Sequence, residues 1–167
     1  MAIRFGTDGW RAVISDTFTF ENVRLVAQAI ADYVQEISEK SKPEVVVGFD
    51  TRFLSDRYAI EVARVMAGND IKAYLTRADA PTPAVSYAVV EKKAAAGVMI
   101  TASHNPPRYN GIKLKASFGG AALPEQGNRV EALLERNQRE ARGPNLMAYD
   151  QALSVGLIHR FDPAWAY

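Results

Sequence analysis

Between Phe20 and Thr101 the chain switches repeatedly between two hydrophobic periods, and this switching constrains its fold more than any other feature. From Phe20 to Ile37 apolar residues recur at three- and four-residue steps: Leu25/Val26, Ala29/Ile30, Tyr33/Val34 and Ile37. Such positions gather into one stripe of a helix with 3.6 residues per turn. Thr19 suits the N-cap, and Glu21 falls in the first turn, where the helix dipole favours a carboxylate. Lys42-Pro43 ends the helix. Glu44-Val45-Val46-Val47-Gly48-Phe49 follows as a nearly continuous β-branched run, the pattern of a strand buried on both faces.

The same switch then recurs. Ser55-Asp56 is expected to cap a helix carrying Ala59, Val62, Ala63 and Val65/Met66, with Gly68 closing it. Ile71 to Leu75 reads as a strand, and Thr82-Pro83 opens a third helix, proline being at home in a first helical turn. Ala95 to Thr101 is again strand-like, and Pro124 to Asn137 gives a last helix. With an early strand from Arg11 to Ile14, this order predicts a three-layer α/β/α sandwich: a single domain with a mixed, largely parallel sheet. Asn110-Gly111, a strong hairpin dipeptide, predicts an antiparallel turn between Ile100 and Ile112-Lys113-Leu114-Lys115. Residues 102–109 become a loop at the carboxyl end of a strand, where ligands of open α/β sheets bind.

Composition removes several function classes. At 167 residues the chain suits one domain with a full core. Twenty basic and nineteen acidic residues leave a formal charge of +1, which supplies no long-range field for a nucleic acid or a membrane surface. An anion must be gripped locally. The absence of cysteine excludes disulfides, thiolate catalysis and cysteine-ligated metals, and two histidines, His104 and His159, leave little for a multi-histidine metal site. There is no basic-then-apolar leader and no apolar run of membrane-spanning length, so a cytoplasmic protein with no membrane partner is expected. From Gln138 the periodicity weakens, and Arg139, Glu140, Arg142, Gly143 and Pro144 read as a linker. Pro163 reads as the start of a helix that does not continue. Residues 1–137 are thus expected to form one domain, with 138–167 a linker and the truncated start of another.

The segment richest in chemistry runs Thr101-Ala102-Ser103-His104-Asn105-Pro106-Pro107-Arg108-Tyr109-Asn110-Gly111-Ile112-Lys113. It sets a hydroxyl beside an imidazole on a loop that two prolines stiffen. Lys113 and Lys115, two apart on the returning strand, project from one face. A serine bordered by cations suits phosphate chemistry, in which the hydroxyl carries a phosphoryl group and positive charge stabilises its oxygens. A Ser-His pair on a proline-containing loop is also ordinary turn chemistry, and a Lys-x-Lys on a strand is also an ordinary solvated face. Composition and spacing leave these readings open.

Three segments together resemble the α-D-phosphohexomutases, the phosphoglucomutase/phosphomannomutase family. Thr101-Ala102-Ser103-His104-Asn105-Pro106 with Tyr109-Asn110-Gly111-Ile112-Lys113 is similar to the family's phosphoserine signature. Phe5-Gly6-Thr7-Asp8-Gly9-Trp10-Arg11 resembles its opening motif, and Val47-Gly48-Phe49-Asp50-Thr51-Arg52 the segment that ends its next strand. The opening motif often continues Arg-Gly, whereas here Ala12 follows Arg11. The family's Asp-Gly-Asp-x-Asp metal loop does not occur in the 167 residues.

The resemblance implies specific roles. Ser103 would carry the phosphoryl group, with His104 binding or polarising near the reacting oxygens. Lys113 would serve as general acid/base or electrostatic partner at the sugar hydroxyl. Arg11 and Arg52 would hold the loop or its phosphate. Hexose phosphates would be the substrates, and a hexose 1,6-bisphosphate the intermediate or activator. Mg²⁺ would bind through the phosphate on Ser103, its other ligands coming from the remaining domains of the polypeptide. The fragment alone is expected to be inactive. Two alternatives stand beside this reading: a non-catalytic sugar-phosphate binding module, and a serine hydrolase using Ser103 and His104. The hydrolase lacks the Gly-x-Ser-x-Gly elbow of that fold.

Overall fold

The computed structural model describes residues 3–6 and 9–163, and within them the predicted alternation becomes a six-stranded mixed sheet with helices on both faces. In chain order the elements are β1 (Trp10–Val13), α1 (Phe20–Ile37), β2 (Glu44–Phe49), α2 (Ser55–Gly68), β3 (Lys72–Thr76), α3 (Thr82–Glu91), β4 (Ala96–Ile100), β5 (Tyr109–Ala116), α4 (Pro124–Arg139), α5 (Tyr149–Ser154) and β6 (Ile158–Phe161). The strands lie in the order β1-β5-β4-β2-β3-β6. β4, β2, β3 and β6 run parallel, while β5 is antiparallel to both β4 and β1.

Side chains alternate across the parallel strands and so divide the core in two. Val45, Val47, Ala73, Leu75, Val98 and Ile100 join the larger cluster, built with residues of α1, α2 and α4. Val46 and Met99 point the other way, against Val85, Ala88 and Val89 of α3. Gly48 and Gly97 keep α3 close: an added Cβ would come within 2.3 Å of a Val85 methyl and 2.6 Å of a Val89 methyl, respectively. Among the described residues α3 packs on β2 and β4 and leaves the same face of β5 and β1 without a helix.

Local signals act largely as expected. The Thr19 hydroxyl caps α1 by accepting from the Asn22 N–H at 3.1 Å. Pro83 lies in the first turn of α3. Two expectations need correction. Ser55 does not cap α2: the N-cap is Leu54, in the left-handed region at φ 65°, and Ser55 begins the helix with its hydroxyl donating to Asp50 Oδ1 at 2.7 Å. Gly68 closes α2 as expected, although the positive φ beyond the helix falls at Asp70 (φ 59°). Gly68 also makes room for the returning chain, because a Cβ there would lie 2.5 Å from the Asn145 carbonyl oxygen. Asn110-Gly111 lies inside β5, paired with Ala12 and Arg11, and the reversal between β4 and β5 is made by residues 101–108.

The carboxyl-terminal stretch also departs from its reading as linker and next-domain start. After α4 the chain crosses α2, where Arg64 Nε donates to the Met147 carbonyl at 3.0 Å, and then forms α5 and β6. β6 pairs with β3 in parallel from Ala73↔Ile158 to Thr76↔Phe161, so these residues complete the edge of the same sheet. A buried polar network fastens the crossing. Asp32 accepts from Gln28 at 3.0 Å and Asn137 at 2.8 Å, and pairs with Arg136 at 3.3 Å and Arg142 at 3.8 Å. Gln28 Oε1 in turn accepts from the Asn145 N–H at 2.9 Å. The helix expected from Pro163, with Trp165 and Tyr167, lies outside the described residues.

Candidate active site at the carboxyl end of β4

The site begins where β4 runs out of partners. Thr101 is still held by the sheet, its N–H donating to the Gly111 carbonyl at 3.0 Å, and Ala102 is fully buried. The Thr101 hydroxyl accepts from the Ser103 N–H at 3.0 Å, and the Asn105 N–H donates back to the Ala102 carbonyl at 3.0 Å. Between these two bonds Ser103 takes a left-handed backbone, φ 50°, which a side chain seldom adopts. Ser103 and His104 are exposed at the tip of this turn. No hydrogen bond joins the Ser103 hydroxyl to the His104 imidazole, the pairing a hydrolytic serine needs.

Two arginines reach the loop from different strands. Arg11, on β1 opposite Gly111, donates from Nη1 to Asn105 Oδ1 at 2.7 Å. The sheet admits that crossing because Gly111 has no side chain: a Cβ there would lie 2.8 Å from Arg11 Cγ and 2.7 Å from the carbonyl oxygens of Thr101 and Trp10. Gly111 is thus required for close approach. Gly9, at φ 90°, does use the backbone freedom that glycine alone has.

Arg52 follows β2 and turns under the loop, its side chain only 13 % exposed. Nη1 donates to the carbonyls of Pro106 (2.9 Å) and Tyr109 (3.0 Å), and Nη2 to those of Ser103 (2.6 Å) and Asn105 (2.6 Å). Asp50 steers it. Its Oδ1 accepts from the Arg52 N–H at 3.0 Å and its Oδ2 lies 3.6 Å from Arg52 Nε. Ser55, bonded to Asp50, accepts from Asn110 Nδ2 at 2.9 Å, so one chain of hydrogen bonds runs from β5 through α2 and β2 back to the loop.

Lys113 sits two residues along β5 from Gly111, opposite Met99, and therefore shares a face with Arg11. That is the face α3 leaves open. Half-buried, Lys113 lines a cleft of about 210 Å³ with Lys115, Gly9, Phe5 and Pro124. The structure therefore brings Arg11 and Arg52 against the loop that bears Ser103 and His104, with Lys113 on the adjoining sheet face. Asp50, Ser55, Asn105 and Asn110 complete this arrangement and were not read as site residues from sequence. The one legible hint was Asp50-x-Arg52 directly after a buried strand. Among the described residues no group of three or more histidine, aspartate or glutamate side chains is placed to hold a metal, and no helix is long and apolar enough to cross a membrane.

Comparison with known proteins bears on the family and the fold. Residues 2–141 match the family model described as phosphoglucomutase/phosphomannomutase, alpha/beta/alpha domain I. A phosphoglucomutase from Staphylococcus saprophyticus is 40% identical over 134 residues, covering 77% of this chain and 23% of that protein. A protein named probable phosphomannomutase from Haemophilus influenzae is 40% identical over 118 residues, covering 67% and 24%. A crystal structure assigned as a phosphomannomutase, from Thermus thermophilus, superposes with a TM-score of 0.83 at 37% identity, covering all of this chain and 35% of that one. The chain spans about a quarter of the length of the curated relatives it matches. With its mixed sheet and helices on both faces, this chain belongs to the phosphoglucomutase/phosphomannomutase family and carries that family's α/β/α domain I.

Proposed function

We propose that this domain supplies the phosphoryl-carrying serine of a phosphohexomutase that interconverts hexose 1-phosphates and hexose 6-phosphates. The observation that carries the reading is an exposed Ser103, in a left-handed turn at a strand's end, on a loop held by Arg11 and Arg52. Phosphoryl transfer demands little covalent work from a protein and much positioning and charge compensation, which such a loop offers.

In the first half-reaction a hydroxyl of the bound hexose monophosphate attacks the phosphorus on Ser103. The new O–P bond forms as the serine O–P bond breaks, leaving a hexose 1,6-bisphosphate and a free serine oxygen. The bisphosphate reorients, and Ser103 takes back the other phosphoryl group. Lys113 holds or moves the proton of the sugar hydroxyl, while Arg11 and His104 compensate charge on the phosphoryl oxygens. Magnesium, which the family implies, would meet one oxygen donor here, the phosphate on Ser103. The surrounding residues do not complete its shell, because the nearby side chains are cationic and both Asp50 oxygens face Arg52 or Ser55. The roles above do not involve the ion.

This domain forms one wall of such a site, and groups that activate a phosphoserine for transfer would pass its phosphate to water unless the site is enclosed. Turnover therefore belongs to the complete polypeptide, and the 167-residue chain alone is expected to show none. The test is incubation of the complete protein with hexose 1,6-bisphosphate, followed by phosphosite mapping and a glucose 1-phosphate conversion assay. Phosphate on Ser103 and conversion that Ser103→Ala abolishes are expected. Full conversion by Ser103→Ala would sink the reading.

A further inference from the structure

Resting on that reading, we infer that Arg52 is a positioning residue that acts through the loop and not a ligand for the phosphoryl group. A guanidinium has five N–H donors. All four on Nη1 and Nη2 are taken by the carbonyls of Ser103, Asn105, Pro106 and Tyr109, and Nε faces Asp50. No donor remains for a phosphate. Four carbonyl oxygens converging on one point repel one another unless a cation sits among them, so the loop's shape depends on this charge.

That shape has a chemical consequence. In a trans peptide the N–H points opposite to its own carbonyl. Drawing the Ser103 carbonyl inward to Arg52 turns the His104 N–H outward, on the side of the loop away from the guanidinium, and that N–H bonds to no described residue. The peptides whose Asn105 and Pro106 carbonyls also face Arg52 lead into Pro106 and Pro107, which have no N–H to turn outward. The geometry leaves the His104 N–H as the backbone donor for an oxygen of a phosphoryl group on Ser103. Arg52 orients it from beneath, and Asp50, Ser55 and Asn110 orient Arg52.

The experiment compares the complete protein with its Arg52→Lys and Arg52→Met variants in steady-state conversion and in amide hydrogen exchange across residues 102–109. A lysine keeps the charge but cannot span four carbonyls, so both variants should lose roughly a hundredfold in kcat with KM little changed. Exchange in the loop should quicken by about tenfold in both while α1 and β2 keep their protection, separating a loosened loop from an unfolded domain. A raised KM with kcat retained, or full rescue by lysine, would overturn the inference. So would unchanged exchange in the loop, whatever the activity. An inactive parent protein would instead defeat the mutase reading, and the exchange result would still decide what Arg52 does.

Discussion

Arg11 occupies the space that a side chain at position 111 would need: a Cβ on Gly111 would lie 2.8 Å from Arg11 Cγ. One absent methyl group thus lets a guanidinium cross from the edge strand to the loop that bears Ser103, where it meets Asn105.

Gly111→Ala tests that crossing. The new methyl would also press on two backbone oxygens at 2.7 Å, which cannot rotate away. Overpacking of this kind costs about 1–3 kcal/mol. Chemical denaturation should read that loss, and conversion by the complete protein should fall further than stability alone explains.

Ser103→Gly should separate stability from chemistry. The left-handed backbone at φ 50° strains a serine and suits a glycine. Releasing it should raise stability by roughly 0.5–1 kcal/mol, while phosphorylation at this position disappears. Calorimetry and phosphosite mapping on the same sample check both.

Asp32→Ala removes the hub that ties α1 to the end of α4 and to the crossing segment. It strips partners from Gln28, Asn137 and Arg136 in a nearly closed environment, the Asp32 side chain being only 10% exposed. A loss of about 2–3 kcal/mol is expected. Amides of β6 should exchange faster than those of β2, since the network fastens the chain that leads to the edge strand.

A pH effect follows from the α1–α4 ion pair. Arg129 holds the Glu36 carboxyl below its ordinary value of 4.5, chiefly through the hydrogen bonds it donates. A carboxyl lowered on folding adds stability above its unfolded value and loses it as pH falls through the folded one. Glu36→Gln should therefore melt slightly lower than the parent at neutral pH. The gap should narrow below pH 4.5 and shrink in high salt, because the pair is exposed. A gap that widens on acidification would contradict this origin.

The elements were legible because they are local. A stripe such as Ala29/Ile30, Tyr33/Val34 becomes a helix face whatever it meets, and Val45-Val46-Val47 can be satisfied only between two layers. Asn110-Gly111 misled because its turn preference is also local. In the folded protein Asn110 binds Ser55 and Gly111 admits Arg11, and strand pairing overrides the turn. Residues 149–161 were misjudged for a related reason: a short edge strand has little periodicity, and its identity comes from pairing with β3.

By itself the sequence determined the α/β/α layering, the loop at the end of β4 and the candidate serine upon it, because periodicity and motif order are properties of neighbours along the chain. Only the tertiary structure decided that Arg52 lies beneath the loop among four carbonyls and that Arg11 crosses Gly111 to reach Asn105. Those contacts join residues separated by 51 to 94 positions, and no local preference records where a long side chain will find its partners.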